Sequence, residues 1–190
     1  MKGRTGLFVV FGVIVLIILI VVGFFWGTYN SLVTKSQAVD AQWAQVETQY
    51  QRRFDLIPNL VNSVKGIMTQ EQTVFAQIAE ARTRYAGATT TDEKAVAGGE
   101  VEAALSKLLV IMENYPALRS IEAVTNLMDE LAGTENRVNV ERARYNDKVR
   151  DYNTTIKTFP RNMIAGMFGF GTKEYFKSVS GADQVPVVQF

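Results

Sequence analysis

Residues 32–57 read LVTKSQAVDAQWAQVETQYQRRFDLI, and the side chains that matter fall at steps of three and four. Leu32, Ser36, Val39, Trp43, Val46, Tyr50, Phe54 and Ile57 form a seam of nearly heptad period. Such a seam is one face of a long α-helix packed in a bundle, because 3.6 residues per turn bring every third or fourth side chain back to the same side. It continues as Leu60, Val64, Ile67, Glu71, Val74, Ile78, Ala81 and Tyr85. Pro58 lies between the two halves. It lacks a backbone donor and disfavours helical geometry at Ile57, so a kink or short break is predicted there.

Working outward toward the N-terminus, the chain from Leu7 to Phe25 is Leu, Ile, Val and Phe, interrupted only by Gly12 and Gly23, with no charge. At about −0.3 to −0.6 kcal/mol per apolar residue, membrane insertion is favoured by roughly 5–10 kcal/mol. The run is long enough to cross about 30 Å of hydrocarbon as a helix. Trp26 and Tyr29 follow, where amphipathic rings settle at the headgroups. A cleaved signal peptide would have a shorter apolar region ending in a small-x-small site, whereas this run closes on Gly-Phe-Phe-Trp-Gly. Neither Gly nor Pro interrupts the chain between Thr28 and Pro58, so the membrane helix is expected to run directly into the first bundle helix. Lys2 and Arg4 precede the span and only Lys35 follows nearby, which predicts a cytoplasmic N-terminus and a helical domain outside the cytoplasm. In a bacterium that means an inner membrane crossed once, with the helical domain in the periplasm or on the outer face. Gly23-x-x-x-Gly27 fits a helix-pairing face, although it sits at the edge of the span.

Working outward toward the C-terminus, residues 86–99 (AGATTTDEKAVAGG) read as a loop or loosely helical linker rich in Gly, Ala and Thr. A helix is predicted from Glu100 to Asn114, closed by Tyr115-Pro116, and a longer one from Leu118 to Thr158, with an interruption possible near Gly133. The long helix has a regular seam: Leu131, Val138, Tyr145, Tyr152 and Phe159 lie seven apart, as do Met128, Glu135, Arg142, Val149 and Ile156. The fold expected is all-α: a transmembrane helix followed by an elongated antiparallel bundle of three to four long helices. In residue terms this gives a short cytoplasmic N-terminus (1–6), a transmembrane helix (7–28), a bundle domain (29–176), and an extended or disordered tail (177–190).

Charges intrude on the seams. Glu135 and Arg142 stand where a bundle wants hydrophobes, with Asn146 beside them; Glu71 intrudes on the earlier seam; Arg52, Arg53, Asp55 and Asn59 flank Pro58. A buried charge costs several kcal/mol unless it is paired and hydrogen-bonded. These eight residues are therefore expected to form a structural polar network across the bundle, with Glu135 and Arg142 meeting Arg53, Asp55 and Asn59. The bidentate reach of Arg52 and Arg53 also suits a phosphate or carboxylate ligand, and the structural reading is preferred because the seam charges need partners. Beyond Pro160, Met163, Met167, Phe168, Phe170, Tyr175 and Phe176 crowd a glycine-punctuated stretch. It is either a cap on the bundle or an exposed surface that meets a membrane or a partner.

At this point the motifs carry a resemblance. Tyr29-Asn30-x-Leu32-Val33, the block from Arg52 to Val61 (RRFDLIPNLV), Glu113-Asn114-Tyr115-Pro116, Thr134-Glu135-Asn136, Arg142-x-x-Tyr145-Asn146, Tyr152-Asn153, Phe159-Pro160 and Phe168-Gly169-Phe170 together resemble the bacterial LemA family. The resemblance spans Tyr29 to about Phe176. It implies a membrane-anchored, mainly antiparallel helical bundle, and supplies no activity; the family's magnetosome-associated members point to membrane organisation. Where the family often has a histidine before the glutamate, this chain reads Thr69-Gln70-Glu71.

The chain of 190 residues has no cysteine and no histidine, and a formal charge of +1. That removes thiol nucleophiles, cysteine-based zinc sites and histidine-dependent triads, and leaves no global basic signal for nucleic acid. Asp55, Glu71, Glu113 and Glu135 are the carboxylates available for acid–base work, but neither a phosphate-binding loop nor a dense run of oxygen ligands accompanies them. The expectation is a non-enzymatic scaffold or adaptor of the envelope with no catalytic, cofactor or metal site. Its expected partners are the lipid bilayer, further copies of itself and other membrane proteins, and not nucleic acid. The alternative is a membrane-shaping or lipid-contacting protein that uses Met163–Phe176, with a carboxylate-dependent enzyme a distant third.

Overall fold

The structure, a computed structural model, describes residues 2–176; the extended or disordered tail expected at 177–190 lies outside the described residues. Among the described residues there are six helices and no strand: α1 (Lys2–Lys65), α2 (Gln72–Gly87), α3 (Thr91–Met112), α4 (Pro116–Arg119), α5 (Glu122–Lys157) and α6 (Arg161–Met167). The all-α class is as the seams require.

The predicted break at Pro58 does not occur. α1 continues through Pro58 and stops at Lys65, with the chain turning over residues 66–71. The proline leaves out only the donor that would have met the Phe54 carbonyl, and Phe54, Ile57 and Leu60 on either side of it are buried, so packing holds the helix together. The interruption near Gly133 is also absent, since α5 is unbroken from Glu122 to Lys157.

The linker expected at 86–99 shrinks to residues 88–90, and α3 begins at Thr91 rather than Glu100. The signal was a capping box hidden in the threonine run. The Thr90 hydroxyl accepts from the Glu93 N–H at 3.2 Å, and the Glu93 carboxylate accepts from the Thr90 N–H at 3.1 Å. A further bond from the Thr89 N–H, with the one from Thr90, holds the Glu93 carboxyl below its ordinary range. Gly98 and Gly99, read as linker residues, are buried inside α3.

The described chain divides into two compact units, one of Met1–Ala41 with Asp147–Lys173, the other of Gln42–Asn146 with the chain from Glu174 onward. In the first, Leu32, Val39, Val149, Tyr152, Ile156 and Ile164 are buried. In the same unit every side chain from Val10 to Gly27 is exposed. This part of α1 has a mean hydropathy of 2.9 and none of it is buried, so it is long and apolar enough to cross a membrane. The second unit has the larger core, built from Val46, Tyr50, Ile57, Leu60, Val64, Ile78, Leu105, Leu108 and Val138 among others. There α2 packs on α3, and Gln42–Glu141, Arg53–Glu135 and Arg52–Glu130 pair with numbers rising on α1 as they fall on α5, so these helices are antiparallel.

Candidate functional site

Three constellations gather the residues singled out by sequence. The first belongs to the unit that carries the apolar span. Tyr29, three residues beyond Trp26, has the Phe168 ring at 4.9 Å and the Phe170 ring at 5.8 Å, both edge-on. Val21, Val22, Phe25, Trp26, Tyr29, Asn30 and Phe168 line one apolar groove. Centred about 130° round the helix from that groove, Gly23 and Gly27 are exposed and an added Cβ would meet no atom within 4 Å. The expected interaction surface therefore divides: Met163, Met167, Phe168 and Tyr175 are exposed, Phe170 is half-buried, and Phe176 is buried.

The second constellation explains Phe176. Tyr145-Asn146 and Tyr152-Asn153 are the same dipeptide seven residues apart on α5. In the larger unit, Asn146 pairs with both backbone groups of Phe176, its amide donating to the carbonyl at 3.0 Å and its oxygen accepting from the N–H at 2.8 Å. The Tyr145 hydroxyl donates to the Glu174 carbonyl at 3.1 Å. In the smaller unit, Asn153 treats Lys173 in the same way, at 2.8 and 2.9 Å, and the Tyr152 hydroxyl donates to the Gly171 carbonyl at 3.0 Å. A side-chain amide sets an N–H donor beside a carbonyl acceptor, so each asparagine imitates a neighbouring strand for one residue of extended chain. The Phe176 ring stacks on Trp43 and carries the Arg142 guanidinium at 4.3 Å. The repeated Tyr-Asn pair was visible in the sequence; that its partner would be backbone was not.

The third constellation is the expected polar network, whose members the structure distributes among separate pairings instead of one. Arg53 is buried and reaches the half-exposed Glu135 at 3.5 Å; its Nε and Nη1 have no hydrogen-bond partner among the described residues. Arg52 pairs with Glu130 at 3.7 Å on the surface. Arg142 meets none of Arg53, Asp55 and Asn59. It binds Glu102 at 2.7 Å and donates to the Tyr50 hydroxyl oxygen, joining α1, α3 and α5. Burial, with Glu102 nearby, pushes the Tyr50 hydroxyl up to about 12, and burial near Glu47 raises Tyr85 as well. Asp55 is exposed and accepts from Gln51, its own helical neighbour, while Asn59 is exposed and receives the Ser63 hydroxyl only on its backbone carbonyl. Glu71 accepts from the Tyr115 hydroxyl at 3.3 Å. Glu102 escaped the sequence reading because it lies just inside what looked like a helix start after a linker.

These features sit beside the outcome of comparison with known proteins. At 27% identity over 186 residues, covering 84% of this chain and 68% of each relative, the chain is similar to the magnetosome proteins MamQ 1 and MamQ 2 of Paramagnetospirillum magneticum. It is similar at 25% identity, with the same coverage, to the magnetosome protein MamQ of Magnetospirillum gryphiswaldense. Residues 42–190 match the LemA family, and this chain belongs to that family.

Proposed function

We propose that the protein is a non-enzymatic, membrane-anchored scaffold that pairs with further copies of itself through the glycine face of its spanning helix. The observation that carries this reading is the division of α1 into two faces at the end of the span. One face shares an apolar groove with Phe168 of the same chain, and at the other Gly23 and Gly27 have no atom within 4 Å of where a Cβ would stand. Small residues four apart let two helices approach closely within lipid, where van der Waals contact drives association. A non-catalytic role is supported by the carboxylates themselves: Asp55, Glu71 and Glu135 are each engaged separately, with Gln51, Tyr115 and Arg53. The relatives named as magnetosome proteins support work at a membrane.

The chain has no cysteine, so the interface is open to disulfide trapping. Gly23→Cys in isolated membranes is expected to give a crosslinked dimer on mild oxidation. Phe25→Cys, about 200° round the helix, is expected to give little. Equal, weak crosslinking at both positions would remove this interface.

The orientation we propose places the N-terminus in the cytoplasm, on the excess of Lys2 and Arg4 over Lys35. A reporter that works only in the cytoplasm, fused after Phe190, is expected to be silent; activity would reverse the orientation.

A further inference from the structure

We infer that the corner between α5 and α6, residues 158–170, is a second membrane contact that rests in the interface of the bilayer spanned by α1. From Thr158 to Thr172 the chain has no acidic residue and one charge, Arg161. Its large apolar side chains face outward: Phe159 is 75% exposed, Met163 63%, Met167 68% and Phe168 52%. The opposite side of α6 holds the buried Ile164 and Ala165, so the short helix is two-faced, with Met163 and Met167 one turn apart on the open side. A water-facing corner of this composition has no reason to leave four such side chains uncovered together.

What identifies the occupant is position. Phe168 lines a groove with Val21, Val22, Phe25 and Trp26, side chains of the apolar span itself. Val21 lies about 7 Å deeper along the helix than Trp26, at 1.5 Å per residue. When α1 crosses the bilayer, the Phe168 ring is carried to the same depth, and the corner beside it comes to lie among headgroups and upper acyl chains. Methionine and phenylalanine suit that boundary, and backbone bonds close both ends of α6, from the Asn162 N–H to the Thr158 carbonyl and from the Phe168 and Phe170 N–H groups to the Ile164 and Ala165 carbonyls. Lys157, just before the corner, and Arg161, within it, are the cations that anionic headgroups attract. The inference does not depend on how many copies associate, because the glycine face lies on the other side of α1.

The test uses the full-length chain reconstituted into phosphatidylethanolamine–phosphatidylglycerol vesicles, with a nitroxide on a single introduced cysteine. Met163→Cys and Met167→Cys replace exposed side chains, and Gln37→Cys, on an exposed position of α1 about 16 Å beyond Trp26, is the water reference. Collisions with dissolved oxygen, which concentrates in lipid, are compared with collisions with a water-soluble nickel chelate. Oxygen is expected to dominate at positions 163 and 167 and nickel at 37. Nickel collisions at 163 and 167 equal to those at 37 would place the corner in water and overturn the inference. Low collision with both reagents would bury the corner against protein, and would overturn it in favour of a protein partner.

Discussion

Replacing Arg142 by alanine is expected to cost the folded chain about 3 kcal/mol, the lower end of what stranding one member of a buried pair costs. Arg142 and Glu102 are 15% and 20% exposed, so water softens the loss at Glu102 without abolishing it. The Tyr50 hydroxyl is less fortunate, because the Tyr50 side chain is completely buried and Arg142 is its donor. The substitution also takes the cation from the face of Phe176, whose backbone Asn146 holds in place. The thermal midpoint of the full-length chain should fall by about 6–12 °C, at about 2–4 °C per kcal/mol for a chain of this size. Arg150→Ala removes an exposed pair with Asp147 three residues away and should shift it by no more than about 1–2 °C. Equal, small effects of the two substitutions would show that Arg142 is solvated. The Tyr50 hydroxyl adds a pH signature. It titrates near 12 when folded and near its ordinary 10 when unfolded, so the folded state holds the proton more tightly. Its contribution is complete below pH 10 and is lost as pH rises from 10 toward 12.

Gly98 carries the second large effect. A Cβ at this position would stand 2.6–2.8 Å from the Tyr50 ring and hydroxyl, closer than atoms pack. Tyr50 has no room to retreat, since the rings of Phe54 and Tyr85 lie within 6 Å of its own and Arg142 lies on its hydroxyl. Gly98→Ala should therefore destabilise by about 1–2 kcal/mol, overpacking outweighing the gain in helix propensity, and Gly98→Val by about 3 kcal/mol. Gly133, in the middle of α5, has open space where its Cβ would stand. Gly133→Ala should stabilise by about 0.5–1 kcal/mol through propensity alone. Denaturant melts of the two alanine variants are expected to move in opposite directions; a shift in the same direction would show that the α3–Tyr50 contact is loose.

These two glycines show where sequence stops being legible. Period is a strong signal, and it located α1, α5 and their buried faces from Leu32 to Ile156. A glycine is ambiguous, because removing a side chain serves a turn, a flexible linker and a close helix crossing equally. Gly98-Gly99 was therefore read as the end of a linker, when it is the notch into which Tyr50 fits. The Thr90–Glu93 capping box is the sequence signal of the helix start, and it stands inside a Gly-, Ala- and Thr-rich stretch whose composition points to a linker. Pro58 misled in the opposite sense, since one missing donor is a small loss within a helix whose buried face is continuous on both sides.

The candidate sites were legible in part for a related reason. That Glu135 and Arg142 need partners follows from their place on a seam, and Arg53 is the partner of Glu135. Which acid reaches Arg142 depended on the approach of α3, which no spacing within α5 encodes. The Tyr-Asn repeat was readable as a motif, yet its targets are backbone atoms, which carry no sequence signature. Phe176 was grouped with the exposed aromatics by proximity in sequence, although Trp43 and Arg142 take it out of the surface.

The proposal that the anchored bundle acts as a self-associating scaffold meets its most direct test in particle mass. Light scattering of the full-length chain in mild detergent, corrected for bound detergent, is expected to give more than one protomer per particle, and Gly23→Leu with Gly27→Leu is expected to lower that number without changing the thermal midpoint of the bundle. A monodisperse monomer at micromolar concentration, for the unsubstituted chain, would contradict it.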